Sequence, residues 1–372
     1  MYKRVLKETI ESKINKGKAI ILIGPRQVGK TTLLKTIIDT KEHLFLDGDD
    51  ATIRSLLNNP NTAQIRSIIG SNKIIFIDEA QRIEGIGLTL KIIIDQFKEV
   101  QLFVSGSSSF DLSNALNEPL TGRKWEYELY PISWEELENT EGYVSAEQQL
   151  ENRMLYGFYP DILNNPGEEK ELLKQLVNSY LYRDILAFAN IRKPEVLEKL
   201  VQALALQIGS EVNYNELAQI VGVDKNTVAN YIDILEKGYV IFKLHSFSRN
   251  LRNEIKKNKK IYFYDNGVRN IIIGNFNPLE LRQDTGALWE NFLISERLKQ
   301  NKYKSTNAKM YFWRTKQQQE VDLVEEHNGI ISGFEFKWNN KKKVRLPKTF
   351  VNEYNAKEIV IDKNNFREFI KI

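Results

Sequence analysis

The sequence predicts an α/β protein in which a parallel-sheet core is followed by helical segments and a smaller mixed α/β domain. Three observations lead to this fold class. Between Ala19 and Tyr130, short apolar runs alternate with helical patterns, as in βαβ units. From about residue 133 to residue 209 the pattern is mainly helical. The last third combines one long amphipathic helix with several alternating strands.

Five segments of the first third are strand candidates. Four of them are near-continuous apolar runs, as expected of parallel strands that are buried on both faces. The five segments are AIILIG, HLFLD, KIIFID, QLFVSG and the more mixed KWEYELY.

Length and composition narrow the class of protein. A chain of 372 residues fits two or three domains, and 42% hydrophobic residues are ample for packed cores. There is no cysteine, which excludes disulfides and thiolate chemistry, and the three histidines are too scattered for a zinc site. No apolar run approaches a membrane span, and the first 18 residues lack a signal-peptide core. We therefore expect a cytoplasmic protein with no membrane partner.

Basic residues are concentrated near the C-terminus. Residues 246–372 carry 25 Lys and Arg against 15 Asp and Glu, whereas the rest carries 28 of the 53 basic and 34 of the 49 acidic residues. This surplus favours a polyanionic partner such as DNA or RNA. A solvated basic surface is the alternative, and charge alone does not separate the two.

The segment GPRQVGKTT matches the phosphate-binding pattern G-x-x-x-x-G-K-[ST]. It follows the strand AIILI directly and opens the helix KTTLLKTIIDT, a context that disfavours a chance glycine turn. Gly24 and Gly29 permit the tight backbone that points N–H groups at phosphate, Lys30 reaches the β- and γ-phosphates, and Thr31 completes a magnesium shell. We therefore expect ATP and Mg²⁺ as ligands. The predicted nucleotide-binding residues are Gly24, Pro25, Arg26, Gln27, Val28, Gly29, Lys30, Thr31 and Thr32.

The segment KIIFIDEAQ supplies the acidic partner that such a loop needs. Four apolar residues lead into Asp78 and Glu79 at the end of the predicted strand. Asp78 is placed to hold Mg²⁺, and Glu79 to polarise the attacking water. The paired acids favour hydrolysis, although a strand that ends in polar residues is the weaker alternative.

Three further residues are candidates for sensing or completing the nucleotide site. Ser105 and Ser107 follow the strand QLFVSG, where a polar side chain can contact the γ-phosphate, but a serine-rich turn explains them equally well. Arg123 precedes the last core strand, from which an arginine finger would reach a nucleotide on a neighbouring copy. That assignment implies a homo-oligomer, and a surface arginine is the alternative.

The middle of the chain has the layout of a winged helix. A short helix NELAQIV is followed by a turn at Gly222 and by a second helix, with Asp224 as its N-cap and Gly238 at its end. YVIFKLHSF would form the wing. Contact with DNA and a role as a lid or protein-contact module both remain open. The early residues of the second helix, which touch bases in DNA readers, are Lys225, Asn226, Thr227 and Asn230.

The chain resembles a known group of proteins over nearly its whole length. GPRQVGKTTLL, FIDEAQ, VSGSSSF and LTGRKWEYELYPISWEEL resemble AAA-type P-loop ATPases that occur widely in bacteria and archaea. NGVRNIII, GALWENFLISERLK, YFWRTKQQQEVDLV and FEFKW resemble the uncharacterised C-terminal domain of those proteins. The resemblance implies that this C-terminal domain has a fold like that of the PD-(D/E)xK nucleases, and a shared fold does not establish shared activity.

A carboxylate set near the C-terminus matches the degenerate motif of those nucleases. RTKQQQEVDLVEE places Glu320 and Asp322 on one face of a strand, and GFEFKW places Glu335 and Lys337 on one face of the next. Glu290 interrupts an apolar stretch of the amphipathic helix that precedes them. In the nuclease interpretation Asp322 and Glu335 bind Mg²⁺, and Glu290 and Lys337 complete the catalytic set. The alternative is an ordinary hairpin in which Glu and Lys pair across the solvent face.

Two basic runs flank this C-terminal domain. They are SRNLRNEIKKNKK and KWNNKKKVRLPK. Such runs can follow phosphates with little sequence preference, and solvated loops have the same composition.

The predicted organisation has four parts. Residues 1–132 form the P-loop ATPase core, 133–196 a helical lid, 197–245 the winged helix and 246–372 the nuclease-like domain. The predicted function is Mg²⁺-dependent ATP hydrolysis coupled to a domain that acts on or binds nucleic acid. The alternative is an ATP-dependent regulatory switch that binds a protein partner and has a catalytically inactive C-terminal domain.

Overall fold

The computed structural model describes residues 1–106, 120–179, 193–248, 259–339 and 344–371. The chain forms two compact units. The first comprises Met1–Ile132 with Lys237–Tyr239, and the second comprises Ser133–Glu236 with Val240–Ile372.

The first unit is built on a five-stranded parallel sheet. Its strand order is β2-β3-β4-β1-β5, so β4 lies between β1 and β3. The predicted parallel core is therefore confirmed. The strands are β1 (Ala19–Ile23), β2 (Leu44–Asp47), β3 (Ile74–Asp78), β4 (Gln101–Gly106) and β5 (Lys124–Glu128).

Helices accompany this sheet and contribute to an apolar core. Every residue of β1, β3 and β4 is buried, as their apolar sequences require, while the edge strand β5 is mostly half-buried. The helices are α1 (Leu6–Glu11), α2 (Lys30–Ile38), α3 (Ala51–Leu57), α4 (Thr62–Ile69) and α5 (Ile86–Gln96), with a 3₁₀ turn at Ala80–Arg82.

The second unit begins with a run of helices. Ser133 and Glu136 form a capping box, each side chain accepting the other residue's backbone N–H, which satisfies donors at the start of the first of these helices. The helices are α6 (Trp134–Glu141), α7 (Tyr143–Tyr156), α8 (Pro160–Asn164) and α9 (Glu169–Val177).

The next segment continues from helices into strands. Asn213 and Asp224 accept backbone N–H groups at the starts of its second and third helices, and Gly222 adopts φ +73° between them. The elements are α10 (Pro194–Leu206), β6 (Glu211–Val212), α11 (Tyr214–Val221), α12 (Lys225–Lys237), β7 (Ile241–Ser246) and β8 (Lys259–Phe263).

The remaining elements complete the second unit. Gly333 lies where an added Cβ would approach Leu346 and Phe350 to 2.4 and 2.7 Å, so its lack of a side chain lets these residues pack against the sheet. The elements are α13 (Asn266–Ile272), α14 (Thr285–Tyr303), β9 (Lys309–Arg314), β10 (Glu320–His327), β11 (Ile330–Phe336), α15 (Lys348–Tyr354), β12 (Lys357–Ile361) and α16 (Phe366–Ile370), with a 3₁₀ turn at Leu279–Leu281.

One seven-stranded sheet runs through the second unit in the order β12-β11-β10-β9-β7-β8-β6. Strand β7 pairs antiparallel with β8 and parallel with β9. The boundary predicted between residues 245 and 246 falls inside β7, so the structure does not separate the two segments there. Backbone hydrogen bonds of β7 are the reason, because they join this strand to β8 and β9, which both follow the predicted boundary. The other boundaries stay predictions.

Within the described ranges, no helix combines the length and the apolar character needed to cross a bilayer.

Candidate functional site

The phosphate-binding loop joins β1 to α2 in the first unit. Gly24 has φ +148°, and a Cβ at this position would lie 2.1 Å from the carbonyl oxygen of Leu129. Gly29 and Gln27 also have positive φ, at +92° and +59°. Only glycine fits at Gly24, and the tight backbone that results is the kind that presents N–H groups to an anion.

Lys30 is a buried cation at the start of α2. Its Nζ donates hydrogen bonds to the carbonyl oxygens of Gly24 at 3.0 Å and Pro25 at 2.7 Å. Burial lowers the pKa of Lys30 to about 8, against the opposing charges of Glu79 and Asp78. A desolvated ammonium held against a loop of this kind favours a negatively charged ligand.

The other predicted loop residues differ in exposure. Val28 is buried, and its carbonyl accepts a 2.9 Å hydrogen bond from Arg4. Arg26 is half-buried, and Thr32 is exposed on α2. Arg4 thus fixes the loop at Val28, and the neighbouring start of α2 is exposed at Thr32.

Thr31, at the start of α2, contacts Asp78, at the end of β3. The Thr31 hydroxyl donates to Asp78 Oδ2 at 2.7 Å, and Ser105 Oγ donates to Asp78 Oδ1. The order of the sheet explains this, since β4 places Ser105 between the loop after β1 and the end of β3. Hydroxyl and carboxylate oxygens are ligands that Mg²⁺ prefers, so Thr31 and Asp78 fit the ion that accompanies a nucleotide.

Glu79 has a left-handed backbone conformation, with φ +46°. Gln81 Nε2 donates to Glu79 Oε2 at 2.5 Å. The side-chain amide of Gln81 thus holds the carboxylate of Glu79, and we did not predict this contact from the sequence. Gln81 lies on the 3₁₀ turn that follows Glu79, and no periodic pattern in the sequence indicates the contact.

The two remaining candidates of the first unit have different outcomes. Ser107 lies outside the described residues. Arg123 precedes β5, which is parallel to β1 and pairs Lys124 with Ala19, at the edge opposite the phosphate-binding loop. There its Nε donates to Asp95 at 2.7 Å. A role of Arg123 as a finger toward another copy stays a prediction.

The second unit brings together the four carboxylate and lysine candidates predicted near the C-terminus. Glu290 lies on α14, Asp322 on β10, and Glu335 near the end of β11. The main-chain N–H of Phe336 donates to Asp322 Oδ2 at 2.8 Å, and Lys337 Nζ donates to Glu335 Oε1 at 2.7 Å.

Lys260 and Tyr262 enter the same cluster from β8, and sequence reasoning missed both. Lys260 Nζ lies 3.1 Å from Glu290 Oε1 and 2.5 Å from Glu320 Oε1, and the Tyr262 hydroxyl donates to Glu290 Oε1 at 2.5 Å. Lys260 ends a basic run whose composition suits either a phosphate-tracking surface or a solvated loop, yet it is only 1% exposed. Neither alternative describes Lys260, because the strand turns its side chain inward to the carboxylates. The alternation of KKIYFYD, which places Lys260 and Tyr262 on one face, was the available signal.

The carboxylates perturb one another. Burial, and then the charges of Glu290 and Glu335, raise the pKa of Asp322 well above its usual range. Burial and Glu290 also raise the pKa of the Tyr262 hydroxyl. The pKa of Lys260 is raised because the charges of Glu290 and Glu320 outweigh its burial.

The described arrangement supplies internal donors to these oxygens. Among the residues that the structure describes, no group of three or more His, Asp or Glu side chains is arranged to hold a metal ion. Glu290 and Glu320 face Lys260, and Glu335 faces Lys337. These carboxylates of the cluster are thus paired with lysine side chains of the same chain. Binding of Mg²⁺ by Asp322 and Glu335 stays a prediction.

The early residues of α12 are tied into its N-terminal cap. Asp224 accepts the N–H groups of Asn226 at 2.8 Å and Thr227 at 3.0 Å, and it also accepts the Thr227 hydroxyl at 2.6 Å. The side chain of Thr227 is thus occupied, while Lys225 and Asn226 are exposed.

The fold and the loop define a P-loop nucleotide-binding protein. The P-loop connects strand β1 of the parallel sheet to helix α2. Asp78 ends strand β3, which is separated from β1 by β4 alone. A family model described as an AAA domain matches residues 16–138, a match that supports a P-loop ATPase domain and ATP binding.

Two further family models match the rest of the chain, and both are described as domains of unknown function. The first, DUF8612, matches residues 147–279, and the second, DUF4143, matches residues 285–371.

Uncharacterised proteins of a bacterium and an archaeon are similar along most of the chain. A protein of Mycobacterium tuberculosis is 28% identical over 329 residues, covering 87% of this chain and 71% of its own. A protein of Methanocaldococcus jannaschii is 23% identical over 388 residues, covering 98% of this chain and 84% of its own. Among solved structures, a Walker-type ATPase of Pyrococcus abyssi has a TM-score of 0.49 and 16% identity, covering 72% of this chain and 94% of its own.

Proposed function

We propose that this chain hydrolyses ATP with Mg²⁺ at the P-loop of its first unit. The observation that carries the proposal is the 2.7 Å contact between Thr31 and Asp78, with Lys30 and Glu79 beside it. Bound Mg²⁺ would neutralise charge on the β- and γ-phosphates. Lys30 and the loop N–H groups hold the phosphates, and Thr31 and Asp78 supply oxygen ligands to the ion. Glu79 accepts the proton of the attacking water.

Replacing Lys30 tests this proposal. In Lys30→Ala the ammonium that faces the loop is lost, and we expect ATP hydrolysis by the purified protein to fall to background. Lys35→Ala is the matched control, because Lys35 is the next lysine on α2 and is exposed. Hydrolysis that continues at the wild-type rate in Lys30→Ala would overturn the assignment.

For the second unit, we propose a nuclease-like domain that engages DNA or RNA. The order of its elements from α14 to β12 supports a fold like that of the PD-(D/E)xK nucleases. Helix α14 is followed by the antiparallel strands β9, β10 and β11, then by helix α15 and by β12, which pairs parallel with β11. Glu290, Asp322, Glu335 and Lys337 are close enough for their charges to interact. The order helix, strand, helix, helix, strand, strand from α10 to β8 supports a winged helix. The basic surplus of residues 246–372 suits a phosphate backbone.

Cleavage and binding are separate tests of this second proposal. Plasmid DNA and RNA are incubated with the wild type and with Lys337→Ala in Mg²⁺ or Mn²⁺, and cleavage by the wild type alone would support a nuclease. Binding is measured by fluorescence anisotropy at increasing salt, and we expect affinity to fall as phosphate contacts are screened. No cleavage and no binding at low salt would refute the proposal.

The second candidate function is a regulatory switch that binds a protein partner and cuts nothing. Two observations favour it. Lys260 occupies the carboxylate cluster, and residues 197–245 carry four Lys and no Arg against six Asp and Glu, an unfavourable charge for a DNA reader. ATP hydrolysis that nucleic acid does not stimulate, with plasmid left intact, would support this candidate.

A further inference from the structure

Lys260 is a buried cation that holds acidic side chains from two other elements. Its side chain is 1% exposed, and Nζ contacts Glu290 of α14 at 3.1 Å and Glu320 of β10 at 2.5 Å. The ring of Phe312 lies 5.6 Å from Nζ and covers another side. A cation in this position cannot follow a phosphate backbone at the surface.

Lys260 interacts with more than one carboxylate. Its ammonium contacts Glu290 and Glu320, and the charge of Asp322 also acts on it. Glu320 is shared with Arg314, whose Nε lies 3.6 Å from Glu320 Oε2. Carboxylates drawn from a helix and a strand around one buried positive charge are the arrangement that a hard divalent cation otherwise creates. Lys260 supplies that charge from within the chain.

We propose that the Lys260 ammonium occupies the position of a divalent cation among these carboxylates and excludes such a cation while it is seated there. The inference deepens the proposed function, because it rests on the assignment of this cluster as the nuclease-like site. It makes Lys260 the residue that decides whether the site can bind metal.

Neighbouring donors support the same arrangement. Tyr262 donates to Glu290, and the Phe336 N–H donates to Asp322, so these oxygens have partners that a metal would have to replace. Leaving Lys260 in place beside a divalent cation would put like charges within a few ångströms in a buried site. Lysine and metal therefore compete for the same carboxylates.

Binding of Mn²⁺, a probe for hard divalent sites, tests this competition. The full chain carries Asp78→Asn in every sample and contains no nucleotide, which removes the contribution of the P-loop. Mn²⁺ is titrated and the free ion is measured by electron paramagnetic resonance, while thermal unfolding with and without Mn²⁺ gives a second readout.

Lys260→Met removes the charge at similar length, and Lys299→Met is the matched control. Lys299 is also 1% exposed, and it pairs with Glu296 at 2.6 Å. Both variants therefore lose a buried ion pair, but Lys260→Met removes the ammonium that contacts Glu290 and Glu320 of the carboxylate cluster.

We expect the Asp78→Asn protein, alone or with Lys299→Met, to bind Mn²⁺ no more tightly than with a dissociation constant of about 1 mM. With Lys260→Met added, the protein should bind one Mn²⁺ per chain at least about tenfold more tightly than that, and Mn²⁺ should raise its midpoint of unfolding. The added substitution Asp322→Asn should remove that site.

Three results would overturn the proposal. The first is a Mn²⁺ site in the Asp78→Asn protein with Lys260 intact that Asp322→Asn abolishes. The second is a folded Lys260→Met that gains no affinity. If Lys260→Met does not fold alone, we expect Mn²⁺ to restore its folding or that of Lys260→Gln. The third result is that neither variant folds, whether or not Mn²⁺ is present. Cleavage of plasmid and ATP hydrolysis are measured separately, so this inference and the proposed function fail on different observations.

Discussion

At the scale of single residues, the candidate site of the first unit contains a glutamate held in a strained backbone conformation. Glu79 has φ +46°, and a Cβ at Gly48 would lie 2.5 Å from the Glu79 carbonyl oxygen. Non-glycine residues held in this region cost about 1–3 kcal/mol and concentrate at functional sites. Gln81 then holds the Glu79 carboxylate through its amide. Strain and side-chain restraint thus coincide at the candidate general base.

Replacing Glu79 should separate hydrolysis from binding. Glu79→Gln keeps the size and hydrogen bonding of the side chain but cannot accept a proton, so we expect the single-turnover rate of ATP hydrolysis to fall by about 10²–10⁴-fold. ATP binding, measured by calorimetry, should persist. Glu84→Gln, at a neighbouring exposed glutamate, should keep the wild-type rate. A Glu79→Gln rate close to that of the wild type would exclude Glu79 as the base.

Replacing Gly24 should damage both the fold of the first unit and its ligand site. In Gly24→Ala the new Cβ meets the Leu129 carbonyl oxygen at 2.1 Å, so the loop must move, and we expect a loss of at least about 2 kcal/mol in unfolding free energy with loss of ATP binding. Gly17→Ala is the control, with φ +70° and nothing within 4 Å, and should cost about 1 kcal/mol. Calorimetric unfolding measures both, and equal costs would contradict the steric argument.

At the scale of secondary-structure elements, a buried ion cluster joins α13 to the start of α14. Asp284, the residue before α14, accepts from Arg269 Nη1 at 2.5 Å and from Arg282 Nε at 2.8 Å. Arg269 also donates to the carbonyl oxygen of Ala205 at 2.7 Å. Burial would raise the pKa of Asp284, but the hydrogen bonds from Arg282 and Arg269 outweigh it and lower that pKa to about 2.

This cluster should give the second unit an acid-sensitive stability. Because the folded pKa of Asp284 is lowered from 3.8 to about 2, its contribution is complete well above pH 3.8 and is lost as the pH falls toward 2. We expect the stability advantage of the wild type over Asp284→Asn to shrink by about 1 kcal/mol between pH 6 and pH 3. Urea unfolding followed by tryptophan fluorescence suits this test, since four of the five tryptophans lie in the second unit.

The control for this pH dependence is Asp161→Asn. Asp161 is an exposed carboxylate on α8 in the same unit. Its substitution should leave the pH dependence of unfolding like that of the wild type. An advantage over Asp284→Asn that stays constant from pH 6 to pH 3 would contradict the assignment of this ion cluster.

At the scale of the whole molecule, β7 connects segments that the sequence divides. Its pairs with β8 and β9 are the link between the strands of the helical segment and those of the carboxylate cluster. Lys260 depends on this link, because β8 carries it. The cluster is therefore a property of the whole second unit rather than of residues 246–372 alone.

Truncation should show the size of the second folding unit. We expect a fragment of residues 133–372 to unfold in one cooperative urea transition. A fragment of residues 246–372 lacks β6 and nearly all of β7, so it leaves the edges of β8 and β9 unpaired and should not fold cooperatively. Circular dichroism and fluorescence should give the same midpoint for the longer fragment. A cooperative transition of the shorter fragment would restore the boundary at residue 246.

Much of the first unit could be predicted from the sequence because its signals are local. The phosphate-binding motif, the strand before it and the helix after it are contiguous, and buried parallel strands appear as apolar runs. Asp78 and Glu79 end such a run, so their place at the edge of the sheet followed from the strand alone. Gln81 was missed because the backbone turn after Glu79, rather than any periodicity, directs its amide to the carboxylate.

The fold class, the phosphate-binding loop and the strand face that Glu320 and Asp322 share could all be predicted from the amino-acid sequence. Which charges are buried and which are paired depends on contacts between distant segments of the folded chain. Arg123 donates a hydrogen bond to Asp95 at the end of the sheet opposite the phosphate-binding loop. Lys260 donates to Glu290, which lies 30 residues away in the sequence. The identity of a charged residue does not show whether its side chain is exposed to water or buried in the fold. Burial and pairing come from long-range strand register, and they decide whether a lysine faces water, phosphate or carboxylate.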